Sequence, residues 1–70
     1  MEVSPEYRVM MEILISRRKE LGWNQKELAI KCGIPQSTIG RLESFTNVPS
    51  IETLLKVANQ LDLKITVTEK

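Results

Sequence analysis

Seventy residues with ten Lys and Arg, nine Asp and Glu, no His and a single Cys describe one small domain. A core of that size supplies only about 3 to 5 kcal/mol of net stability unless something staples it. One cysteine excludes a disulfide within the chain, and the lack of His removes a Cys and His zinc site, so a partner subunit is the support that remains.

No stretch is long and apolar enough to cross a bilayer, and the opening MEVSPEYRVM lacks the basic and then apolar profile of a secretory signal. The expected location is the cytoplasm. The formal charge is +1, weak for a nucleic-acid binder, and it is spread unevenly. Residues 1 to 41 hold seven basic against five acidic side chains, whereas residues 42 to 70 hold three against four. Any affinity for DNA must then come from geometry and a few placed contacts rather than from bulk charge.

Ser4, Pro5 and Glu6 form a helix start: a hydroxyl to cap free amides, a proline where no amide is needed, and an acid at the positive end of the dipole. The first helix is expected over about 5 to 21. Met10, Ile13, Leu14 and Leu21 share its inner face, and Val9, Met11 and Ile15 widen the apolar sector. Arg17, Arg18 and Lys19 crowd its negative end, and Gly22 supplies the stop. Asn24 with Glu27 three residues on has capping-box spacing and opens a second helix over about 24 to 32, stapled by Trp23 onto Leu28 and ended by Gly33. Its inner side is Leu28, Ala29 and Cys32, the last read as a buried small hydrophobe.

Pro35 opens a third helix over about 35 to 43, with Ile39 and Leu42 inward and Gln36, Ser37, Gly40 and Arg41 outward. That outward set carries hydrogen-bonding groups where other exposed faces of the chain carry Lys and Glu. It also includes a glycine costing about 1 kcal/mol of helix propensity against alanine. After a loop at Phe45 to Val48, Pro49 and Ser50 start a fourth helix over about 50 to 61, built on Ile51, Leu54, Leu55, Ala58 and Leu61. From about 63 to 68 the period changes: Leu63, Ile65 and Val67 alternate with Lys64, Thr66 and Thr68, a strand pattern. Nothing else in the chain reads as a strand, so this one must pair outside its own chain or stay unpaired. Two copies about a two-fold axis would pair antiparallel through Leu63, Ile65 and Val67. The fold class is therefore all-α: a compact four-helix helix-turn-helix in a single domain over residues 1 to 70, with a short C-terminal strand paired across a dimer.

The segments RRKELGWNQKELA, Gly33 with Ile34, QSTIGRLE and PSIETLLKVANQL resemble the Xre, or Cro and phage-repressor, helix-turn-helix family over about Leu14 to Leu61. The short length and terminal strand further resemble antitoxins of the HigA and HipB type. Carried over position by position, the resemblance puts Gln25 on a DNA phosphate or on the glutamine beside it. It puts Gln36 on base edges, and Ser37, Thr38 and Arg41 at the other positions that touch bases or backbone. Gln pairs bidentately with adenine and Arg with guanine, which suits those roles. Arg18 and Glu43 match a pair that links the first helix to the end of the recognition helix. The chain departs from the family at Asn24, where Ser or Thr is usual, at Ser44, where Gly is usual, and at Gly40, which removes a side chain from a position that often reads DNA.

With no His, no Gly-rich phosphate loop and no ligand cluster, the sequence points away from an enzyme, and no cofactor or metal is implied. Three readings stay open. The first is a homodimeric repressor of a pseudopalindromic double-stranded operator, acting as antitoxin to a cognate toxin protein and autoregulating its operon. The second is a stand-alone transcription regulator, and the third a protein-interaction module that has lost DNA binding.

Overall fold

In the computed structural model, which describes residues 2 to 69, four helices follow one another: α1 (Pro5–Glu20), α2 (Gln25–Cys32), α3 (Gln36–Glu43) and α4 (Ile51–Gln60). Local chemistry sets where they begin. The Ser4 hydroxyl accepts from the Tyr7 N–H at 3.2 Å, and the Ser50 hydroxyl accepts from the Thr53 N–H at 3.2 Å. Asn24 and Glu27 close a reciprocal capping box, at 2.8 Å to the Glu27 N–H and 2.9 Å from the Asn24 N–H.

All four helices end alike, with a left-handed residue and a bond from the next N–H to the carbonyl five residues back. The bonds are Trp23 to Arg18 at 3.2 Å, Ile34 to Ala29 at 3.1 Å, Thr46 to Arg41 at 3.2 Å and Leu63 to Ala58 at 2.9 Å. Glycine fills the left-handed place after α1 and α2, at φ 76° and 69°, but Phe45 and Asp62 fill it after α3 and α4, both at 59°. A non-glycine residue there carries a strain of about 1 to 2 kcal/mol. In the turn after α3, Ser44 keeps right-handed geometry at φ −90°, so the unusual residue of that turn is Phe45 rather than Ser44.

The core is a single cluster drawn from every helix: Met11 and Leu14, Leu28 and Ala29, Ile39 and Leu42, Leu54, Val57 and Ala58, closed by Leu61. The helix faces differ in part from the sequence expectation. On α1 the buried line is Met11, Leu14 and Arg18, while Ile13 is 53 % exposed and Leu21 lies at the surface. Counting apolar residues missed this face because a charged residue, Arg18, occupies one of its three places. On α4, Val57 is buried, whereas Ile51 and Leu55 are exposed. The Arg17 Nε donates to the Leu61 carbonyl at 3.1 Å, tying the end of α1 to the end of α4.

The C-terminal segment forms no strand within the chain; no strand is present among the described residues. The Leu63 N–H is already committed to the α4 cap, and no neighbouring strand lies alongside to complete a ladder for the rest. Leu63 and Ile65 are half-buried against the core, while Val67 is 97 % exposed.

Candidate nucleic-acid interface

The turn between α2 and α3 is only Gly33, Ile34 and Pro35. Ile34 is half-buried against the core, so α3 is held on α2 by the two sides of the turn as well as by Ile39 and Leu42. What α3 then shows to the outside is Gln36, Ser37 and Arg41, all exposed, with Thr38 and Gly40 half-buried at the margin. No charged group other than Arg41 stands on that outward face. Pro35 occupies the N-cap and supplies no side-chain hydrogen bond, so the first amides of α3 are left for an acceptor outside the helix.

The angle of α3 is fixed from below by a buried polar cluster. Arg18, 9 % exposed, presents Nε to Glu43 Oε2 at 2.6 Å and Nη2 to Glu43 Oε1 at 2.8 Å, a bidentate pair. Its Nη1 donates to the Trp23 carbonyl at 2.7 Å. Glu43 Oε1 also accepts from Gln25 Nε2 at 3.1 Å. The last turn of α3 is thereby bonded to α1 and to the first residue of α2, and Arg18 in turn holds the α1–α2 turn. The pair suggested by family resemblance, Arg18 with Glu43, does come together. Gln25 lies at the start of α2 with its amide on Glu43 rather than on a neighbouring glutamine, and its second amide hydrogen is uncommitted. Its Oε1 sits 3.7 Å from where a Cβ on Gly40 would be.

Sequence reasoning missed a second cluster, just past the C-terminal end of α3. Phe45 meets Tyr7 edge to face, with centroids 6.3 Å apart and planes at 82°. The Arg8 guanidinium lies 4.6 Å from the centre of the Phe45 ring. The Tyr7 hydroxyl is buried without a hydrogen-bond partner, and burial pushes its pKa up. No motif or period joins residues 7 and 8 to 45, so only the folded chain reveals them as neighbours. On the opposite side, the Cys32 thiol is half-buried, 4.0 Å from the Lys56 carbonyl. Burial pushes its pKa up against the opposing pull of the Lys56 charge. That raises the pH needed to form a reactive thiolate. Among the described residues there is no group of three or more Cys, Asp or Glu able to hold a metal.

Comparison with known proteins agrees with this geometry. A family model described as helix-turn-helix matches residues 14–67. Antitoxin HipB of Escherichia coli O6:H1 is 38% identical over 52 residues, covering 74% of this chain and 55% of the relative. Antitoxin HipB of Escherichia coli K12 is 36% identical over 52 residues, covering 74% and 59%. An uncharacterised helix-turn-helix transcriptional regulator of Haemophilus influenzae is 34% identical over 58 residues, covering 83% and 59%. The matches thus span little more than half the length of these relatives. A solved structure named MDT Protein superposes with a TM-score of 0.78 at 28% identity, covering 99% of this chain and 96% of that one. The chain belongs to the Xre-type helix-turn-helix family of DNA-binding domains.

Proposed function

We propose that the chain is a sequence-specific transcriptional repressor that binds a pseudopalindromic operator as a homodimer in the cytoplasm, and that it is the antitoxin of a toxin–antitoxin pair. The observation that carries the DNA reading is the outward face of α3. Gln36, Ser37 and Arg41 are exposed there, and the helix bearing them is clamped at its other end by Arg18, Glu43 and Gln25. A reader needs flexible donors and acceptors on a rigid mount, since a loose helix would lose in entropy what its base contacts supply.

In this reading Gln36 and Arg41 contact base edges in the major groove, Ser37 and Thr38 contact bases or backbone, and the free amide hydrogen of Gln25 meets a phosphate. Leu63, Ile65 and Val67 pair with the same residues of a second copy. The pairing spaces the two recognition helices by about 34 Å, one turn of the duplex. The likeness to HipB antitoxins supports a toxin partner. The likeness to the Haemophilus regulator supports a second reading, a regulator without a toxin.

The deciding experiment selects binding sites from a random duplex library and then measures variants against the enriched site. Arg41→Ala is expected to lose about 1 to 3 kcal/mol of discrimination at one base pair. Gln25→Ala is expected to weaken all sites about equally. Failure to enrich any inverted repeat at low salt would leave the interaction-module reading in possession. Co-expression with the product of the adjacent gene separates the first two readings: an antitoxin co-purifies with it and suppresses its toxicity, and a stand-alone regulator does neither.

A further inference from the structure

We propose that Arg8, held on the ring of Phe45, is a phosphate-binding arm that grips the DNA backbone beside the C-terminal end of α3. The inference rests on the DNA reading above and adds a contact from α1, outside the helix-turn-helix unit itself.

Four observations converge on it. Arg8 is exposed, and among the described residues it has no carboxylate partner: the ion pairs there are Arg17 with Glu20 and Arg18 with Glu43. Its position is nevertheless fixed, because its guanidinium lies 4.6 Å from the Phe45 ring centre. Contact with the ring takes up no hydrogen-bond acceptor, so the guanidinium N–H groups stay available, and they match a phosphate bidentately. Phe45 is itself immobilised, edge to face on Tyr7 and in a left-handed turn where glycine would be unstrained.

The place is also right. Eight residues of α3 span about 12 Å, close to the width of the major groove, about 12 Å. When the N-terminal half of such a helix reads bases, its C-terminal end approaches the sugar–phosphate wall. Phe45 follows that end by two residues, and the Thr46 N–H is bonded back to the Arg41 carbonyl at 3.2 Å, so Arg8 and the turn after α3 form one surface there. The competing account makes Arg8 a structural cation that offsets the negative end of the α3 dipole.

The test uses the whole chain and a labelled duplex of mixed sequence, because a phosphate contact is independent of sequence. Binding is followed by fluorescence anisotropy across a salt series. Arg8→Ala is expected to make the slope of log affinity against log salt shallower by about 0.9 for each engaged subunit, with affinity several-fold lower at low salt. Arg8→Lys keeps the slope. Lys56→Ala, with the same change of net charge on the exposed face of α4, also keeps it. Phe45→Leu removes the ring and is expected to lose part of the slope, with Arg8→Ala adding less in that background than alone. A lowered melting temperature with an unchanged slope for Arg8→Ala supports the structural cation and overturns the proposal. Wild-type protein that binds no duplex overturns the DNA reading along with it, whereas wild-type binding with an unaffected Arg8→Ala overturns this inference alone.

Discussion

Gly40 separates what a residue reveals in sequence from what it does in the fold. Its place inside a helix marks it as costly. Yet its backbone is ordinary, unlike the left-handed Gly22 and Gly33, and an added Cβ would meet only Gln25 Oε1, at 3.7 Å, an ordinary contact. The protein itself does not require glycine there. Gly40→Ala is therefore expected to stabilise the domain by about 1 kcal/mol, raising the melting temperature by about 4 to 8 °C for a domain of this size. Thermal unfolding followed by circular dichroism measures it, and a lowered midpoint would mean that the methyl displaces Gln25 from Glu43. The caps at Ser4, Asn24, Ser50, Gly22 and Gly33 were legible because each acts within a few residues of itself. Phe45 in a left-handed turn was not, because nothing in a phenylalanine signals positive φ; its compensation comes from Tyr7 and Arg8, almost forty positions away.

At the scale of the elements, the apolar period located the helices but did not choose their faces. Met11, Leu14 and Arg18 form the buried line of α1, and a hydrophobic count could not select a face containing an arginine. Its partner Glu43 lies 25 residues on, a distance no local pattern spans; family resemblance supplied the pair and only the structure supplied the third acceptor, the Trp23 carbonyl. Both side chains are close to buried, at 10% and 12% exposure, so removing one leaves the other as an unpaired charge. Arg18→Ala is expected to cost about 3 to 5 kcal/mol, comparable to the whole stability of a small domain. Replacing both, as Arg18→Met with Glu43→Leu, should recover most of that loss, since desolvation of the pair offsets much of its attraction. Urea unfolding of the single and double variants measures this. The double variant is expected to bind DNA poorly even when folded, because α3 would sit on α1 and α2 without a fixed angle. A double variant with wild-type affinity would show that apolar packing alone sets that angle.

For the whole molecule, part of the apolar surface left over after folding flanks the C-terminal segment, while Ile30 and Ile51 are exposed elsewhere. Val9 and Ile13 on α1 and Leu55 on α4 are exposed, and the segment runs between those two helices. One open cavity of about 400 Å³ involves Leu55, Ala58, Leu63 and Ile65, and another of about 330 Å³ involves Val9, Ile13, Leu63 and Ile65. In the proposed dimer, antiparallel pairing centred on Ile65 sets Val67 opposite Leu63 of the partner subunit. Val67 touches almost nothing in the single chain, being 97 % exposed, so its replacement by a charge leaves the monomer fold intact and acts on the pairing alone. Val67→Asp is expected to halve the sedimentation mass at micromolar concentration and to abolish the concentration dependence of the melting temperature that a dimer shows. It should also weaken binding to a two-half-site operator far more than to a single half-site, because only the former uses the spacing between recognition helices. A Val67→Asp protein that sediments as wild type would remove the C-terminal segment from the interface and shift it to the exposed faces of α1 and α4.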